Sequence, residues 1–261
     1  MAGKSLGFAL LLALTCVAVT GTALAQCDDD DEFTTEFRFE DCSFSDRGRN
    51  PYFSLEPGDK LVLDEAGGDG VHLEITVLDE RRWVRFETPD GNTLWVRTRV
   101  VEEREWDAGE LVEVSRNYFA RCQQTNDVFY FGEQTIKDGG IAPDSWEAGV
   151  GDARPGLIMP GTFLLGAKYF HEQAPGAALD RAEHVGMGEE VTVPAGTFSG
   201  CVVVHDTNAL ECDAEGGEKT YCPGIGLTID ADAELTGYSV DDEDEDEDDD
   251  HRDRRHGTRR R

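Results

Sequence analysis

The chain has no GxSxG, no GxxxxGK[ST], no CxxC and no HxH or HxxxH spacing anywhere in its 261 residues. Each absence removes a chemistry. Without the nucleophile elbow there is no serine presented on a strained strand-to-helix turn, and without the glycine-rich lysine loop there is no phosphate cradle. Missing CxxC spacing argues against a cysteine zinc site, and missing histidine pairs argue against a ready-made metal face. The EF-hand pattern is absent too, so the acidic runs at 28–32 and 241–250 offer calcium only diffuse binding. After the amino terminus no stretch of about eighteen apolar residues occurs, so no transmembrane segment is expected. Lysine is scarce, five residues against nineteen arginines, in a chain of net charge −31. Such a body repels nucleic acid and favours a small molecule, a cation or a basic partner.

What is present begins with an export signal. Lys4 precedes an apolar stretch at 7–19, and Ala23-Leu24-Ala25 offers small residues before a cut, so residues 1–25 read as a signal peptide. Leu24-Ala25-Gln26-Cys27 is close to a lipoprotein box, but Gln26 stands where a small residue is preferred. Ordinary cleavage before Gln26, with a periplasmic or secreted product, is expected over lipid anchoring at Cys27. Cys27, Cys42, Cys122, Cys201, Cys212 and Cys222 then remain, an even number that suits a disulfide framework. Cys212 and Cys222 flank a turn at Gly216-Gly217, which points to a bridge there worth about 3 kcal/mol. Cys27 with Cys42 and Cys122 with Cys201 complete the expected pairing, one of about fifteen conceivable.

Composition divides the mature chain into a polar leader at 26–49, a β-rich domain at 50–240 and a charged tail at 241–261. The tail joins ten consecutive acidic residues to a segment with six arginines, and reads as disordered and solvated. Its arginines could also attach it peripherally to an anionic surface or fold back on the acidic run. In the domain, apolar and polar residues alternate with period 2 at 60–64, 71–78, 82–87, 93–101, 111–121 and 128–131. Shorter strands are expected at 167–172, 182–185, 190–193, 201–205, 219–221 and 227–229. Gly67-Gly68-Asp69-Gly70 and Pro89-Asp90-Gly91-Asn92 supply turns. The fold class is therefore mainly β: a curved antiparallel meander, an incomplete barrel or a sandwich, with a Gly/Pro-rich surface loop at 137–165.

Several motifs recur in a fixed order: Asn50-Pro51-Tyr52-Phe53, Ser145-Trp146-Glu147-Ala148-Gly149-Val150, Pro155-Gly156-Leu157-Ile158-Met159-Pro160, Val193-Pro194-Ala195-Gly196-Thr197-Phe198 and Pro223-Gly224-Ile225-Gly226. Over roughly 50–229 the chain resembles a family of exported bacterial β-rich proteins of unassigned function. That resemblance implies export and β-structure and transfers no catalytic residue. The charged tail and the Cys212/Cys222 pair look like additions to its pattern.

Two constellations are candidates for a site. His171, His184 and His205 lie on three strands, with Asp180 in phase with His184. Were the strands neighbours, they could hold a divalent or copper ion, with Met159 or Met187 as soft ligands; otherwise they are core or solvated histidines and no cofactor is needed. Trp83, Trp95, Phe119, Phe129, Phe131, Trp146 and Phe170 are spread along the domain and either line a concave pocket for a ligand or form the core. Pairs of carboxylates are uninformative among 55 acidic residues. The sequence thus points to an exported binding or structural protein, with metal binding and secreted hydrolysis as the alternatives.

Overall fold

The computed structural model describes residues 32–67, 70–212 and 214–240. The signal peptide, Cys27, most of the first acidic run and the 241–261 tail lie outside them. Among the described residues there is no α-helix, and no helix long and apolar enough to cross a membrane.

The leader opens with β1 (Phe44–Ser45), β2 (Arg49–Asn50) and β3 (Phe53–Ser54). A first meander follows: β4 (Lys60–Glu65), β5 (His72–Glu87), β6 (Thr93–Asp107), β7 (Glu110–Cys122) and β8 (Val128–Lys137). The segment 138–167 holds β9 (Gly140–Ile141), β10 (Trp146–Glu147) and β11 (Gly156–Met159). A second meander runs through β12 (Lys168–Phe170), β13 (Asp180–Val193), β14 (Gly196–Asn208), β15 (Gly217–Cys222), β16 (Gly226–Asp230) and β17 (Ala233–Ser239). Antiparallel pairing of β17 with β4 fuses the two meanders into one 15-stranded sheet.

The sheet rolls until its far ends approach, but it does not close. β11 pairs with β8, Gly156 standing opposite Tyr130. On its other side β11 packs against β12 without a ladder, and the seam carries one isolated bridge, in which Arg154 N donates to Gln173 O at 2.8 Å. Glycine at 156 permits this approach, because a Cβ there would collide with the backbone carbonyls of His171 and Phe170. The result is an incomplete barrel.

β5 and β6 outrun their neighbours. β4 pairs with β5 only from His72 to Thr76, and a bulge between Val77 and Arg81 carries the alternation onward without a break. The extension, Arg81–Glu87 against Thr93–Arg99, is a two-stranded arm. One face of the arm buries Val84, Phe86 and Val96; the other, in phase with the cavity-lining Val77 and Val101, runs past the cavity and carries Trp83, Arg85, Trp95 and Arg97. Asp46, 3% exposed, fixes the arm to the leader by bonding Arg81 and Arg97 at 2.7 and 2.9 Å, and the wholly buried Arg99 at 3.2 Å. Burial pushes the Asp46 carboxyl up, but the bonds from Arg81 and Arg97 outweigh it and hold the group below the usual aspartate value.

Two expectations need correction, and the leader adds core residues that its polar composition hides. Phe33 and Phe39 are buried, and Phe39 meets Phe86 and Phe129 edge to face at 5.3 and 5.2 Å. Its phenylalanines are isolated among charges, so no period marks them. The 137–165 segment is not a surface loop: Trp146, Ala148, Leu157 and Met159 are buried within it, and Gly149, Gly156 and Gly161 serve close packing. The disulfides join Cys42 to Cys122 and Cys201 to Cys222. None of the expected pairs Cys27–Cys42, Cys122–Cys201 and Cys212–Cys222 forms: Cys42 is taken by Cys122, and the register of β14 on β15 (Val202 opposite Tyr221) sets Cys201 across from Cys222. Cys212, in the connecting turn region, is disulfide-bonded as well.

Asp46→Asn removes the carboxylate that Arg81, Arg97 and Arg99 share, leaving buried Arg99 only the exposed Asp79 carboxylate at 3.1 Å, and is expected to cost about 3 kcal/mol, measured by urea unfolding. Gly156→Val forces the seam apart and should cost about 1–3 kcal/mol. Gly237→Ala, where a Cβ meets open space, should stay within about 0.5 kcal/mol.

Candidate functional site

The rolled sheet encloses a cavity of about 300 Å³. Period-2 alternation decides its lining, and the register of β6 on β7 grades its polarity. Val101 stands opposite Asn117, Glu103 opposite Ser115 and Glu105 opposite Glu113, so successive levels pass from apolar to acidic. The apolar portion is formed by Phe53, Leu61, Ile75, Phe119, Ile158 and Leu227. The polar portion carries Glu103, Glu113, Glu133, Glu172, Asp180 and Asp206, against one lysine, Lys219.

These carboxyls are not equally compensated. Glu113 is paired with Lys137 at 2.9 Å, and Asp206 with Lys219 at 3.4 Å. Glu103, Glu133, Glu172 and Asp180 have no ion-pair partner among the described residues. Glu103 is half-buried and lines the cavity. Burial, with Asp230, Glu133 and Glu113 adding repulsion against the attraction of Lys219, pushes its carboxyl up to about 7. Burial likewise raises Glu133, against a hydrogen bond from Ser115, and raises Glu172 well above the ordinary value. Glu172 is also hydrogen-bonded to Asp180, and its Oε1 accepts from Trp146 Nε1 at 2.9 Å. For Lys219 burial acts the other way, but Asp230 and Asp206 prevail and keep the ammonium charged. Two polar atoms beside the cavity, His171 Nε2 and Asp206 Oδ1, are buried with no hydrogen-bond partner among the described residues. Unsatisfied buried groups beside a cavity are where a ligand or solvent is accommodated.

Of the residues singled out from sequence, Phe119, His171 and Asp180 line this cavity. Trp83 and Trp95 do not: they are 59% and 63% exposed on the arm. Phe129, Phe131 and Trp146 are buried in the packing around β8, and Phe170 packs on Phe33 at 6.0 Å, so these four are core. The three histidines do not converge. His184 is stacked on Phe163 at 3.6 Å between ring centres, its Nδ1–H donating to Leu164 O and its Nε2 accepting from Tyr169 OH, both at 2.9 Å. Burial holds its pKa down at about 4, so it sits there as neutral imidazole with both nitrogens spent. His205 alternates with the cavity-facing Asp206, and so points to the other face of β14. Met159 is wholly buried, Met187 is 51% exposed, and the described residues hold no group of three or more His, Cys, Asp or Glu placed to bind a metal.

Sequence reasoning missed Glu103, Glu133, Glu172, Asp206 and Lys219. A usable signal existed. On β7 the inward phase runs Glu113, Ser115, Asn117, Phe119, polar residues in a phase that an ordinary core strand fills with apolar ones. No family model, curated protein or solved structure matches the chain.

Glu103 keeps its proton to about 7 when folded and releases it near 4.5 when unfolded. Its contribution is therefore complete below about 4.5 and is lost as pH rises towards 7. Glu103→Gln should gain stability relative to the parent across that window, with a constant difference above it, read from urea unfolding at stepped pH.

Proposed function

We propose that the protein is an exported binding module whose barrel takes up a compact organic cation with an apolar part. The observation that carries this reading is the set of four cavity carboxyls, Glu103, Glu133, Glu172 and Asp180, without a cationic partner. Enclosed carboxyls that cannot find a counter-charge retain protons instead. An ammonium group entering among them takes the place of those protons and gains charge-assisted hydrogen bonds in a site of low dielectric. The apolar end at Phe53, Ile75, Phe119 and Leu227 accepts the hydrocarbon part. At about 300 Å³ the space suits a molecule at the small end of the range for ligand pockets.

Place of action follows from sulfur chemistry. Bridges such as Cys42–Cys122 and Cys201–Cys222 persist in oxidising compartments, and residues 1–25 have the form of a signal peptide. Both support a periplasmic or secreted module, and the acidity of the whole chain draws cations towards the barrel.

Calorimetric titration with benzylamine tests the reading, with benzyl alcohol and benzoate as neutral and anionic counterparts. Benzylamine is expected to bind, to release protons at pH 6, and to lose about tenfold or more in affinity, ~1.4 kcal/mol, in the Glu103→Gln/Glu133→Gln variant. Benzoate binding as well as benzylamine, or an unchanged double variant, would refute it.

A further inference from the structure

A second feature lies on the arm, beyond the cavity. Two of the chain's four tryptophans, Trp83 and Trp95, stand exposed there. Pairing sets Trp83 opposite Arg97 and Arg85 opposite Trp95, so indoles and guanidiniums alternate as a checkerboard. Single exposed apolar residues are ordinary, whereas a clustered, fixed pair marks a contact surface. The surface is rigid, because the opposite face of the arm is buried and Arg97 is held by Asp46 at 2.9 Å.

The charge of the patch runs against that of the chain. Arg81, Arg82, Arg85, Arg97 and Arg99 all lie on the arm. Asp46 takes Arg81, Arg97 and Arg99, and Glu147 takes Arg82 at 2.5 Å. Arg85 has no carboxylate partner among the described residues, its one hydrogen bond being a long one of 3.5 Å to Thr93 Oγ1. Glu87 closes the row at the tip. Arg85 is also among the residues lining an open groove of about 870 Å³ with Thr88, Gly149, Arg154 and Gln173.

We infer that the Trp83–Arg85–Trp95–Arg97 face is a docking platform for a polysaccharide chain that carries carboxylates. Sugar rings lay their C–H faces on the exposed indoles, and a uronate presents two oxygens to which the Arg85 fork donates bidentately. A narrow strand of polymer suits a platform two β-strands wide. An anionic bilayer does not, since a plane brings the acidic body of a chain of net charge −31 within a screening length of roughly 8–10 Å. Charge complementarity is thus local, and it selects a partner thin enough to touch the patch alone.

Native electrophoresis of the disulfide-intact protein through gels containing polygalacturonate tests this, with the fully methyl-esterified polymer as the uncharged counterpart. Polygalacturonate should retard the protein, with affinity at least tenfold above that for the esterified polymer. Trp83→Ala/Trp95→Ala should weaken it tenfold or more and Arg85→Gln several-fold, at an unchanged melting temperature, as these side chains are exposed. Equal retardation by both polymers, retardation unaffected in the tryptophan variant, or sedimentation with phosphatidylglycerol vesicles in place of any polymer binding would overturn the assignment. Benzylamine affinity is measured in parallel. Its retention in the tryptophan variant separates this surface from the barrel, and failure of either leaves the other standing.

Discussion

The molecule depends on a sheet that rolls far enough to bring β8 and β12 together without hydrogen-bonding them edge to edge. An unclosed barrel leaves backbone groups at its seam and a path for water into its interior. Here the gap is filled from within the chain: β11 takes the free edge of β8, and Gly156 lets it lie flat against the carbonyls of His171 and Phe170. The leader takes part of the edge of β12, as Thr34 exchanges backbone bonds with Lys168 and Phe170 at 3.0 and 3.1 Å. Cys42–Cys122, spanning 80 residues, ties that leader to β7. Segments that look like connectors in the sequence are thus what gives the interior its walls.

Inside those walls the protein accepts a cost. Leucine or valine at Glu103, Glu133 and Glu172 would complete an ordinary core, and each carboxyl instead is desolvated and repelled by its neighbours. Lys219 relieves part of that repulsion, but it already serves Asp206 and Asp230 at 3.4 and 3.5 Å. Where strain of this kind gathers round a cavity, function is the customary compensation. The contrast with His184 is instructive. That side chain is as buried, yet a stacked ring and two hydrogen bonds satisfy it completely, which marks it as structural.

Much of the architecture was legible from alternation alone, because a half-buried antiparallel strand must show its two faces in turn. The limits are equally physical. Period 2 passes unchanged through the bulge after Val77, so one strand was read as two, and the arm that it creates was invisible. Cysteine pairing was misjudged by taking the nearest partners. Counting outward from Asp206 opposite Gly217 would have set Cys201 against Cys222. Phe39 was missed because one aromatic among charges has no period, although it sits between Phe86 and Phe129. Of the site, Phe119, His171 and Asp180 were named, but for mutually exclusive reasons, an aromatic pocket and a metal centre. The cavity joins them through Glu103 and Glu133, which no spacing rule distinguishes among 55 acidic residues. Only the strand register shows which carboxyls share an interior.

Asp46 shows how few interactions hold the two surfaces in place. Its two oxygens draw together guanidiniums from both strands of the arm, while its backbone carbonyl accepts from Arg99 Nε at 2.9 Å. Isolated, Arg99 would be an intolerable buried cation; around Asp46 and the Leu78 carbonyl it becomes a bracket joining the leader, the bulge of β5 and β6. The bracket does two things at once. It pins the arm, presenting Trp83 and Trp95 on a fixed frame, and it engages Arg81, Arg97 and Arg99, leaving Arg85 as the arginine of that face without a carboxylate among the described residues. Specificity on the arm is therefore set by which arginine the bracket does not need.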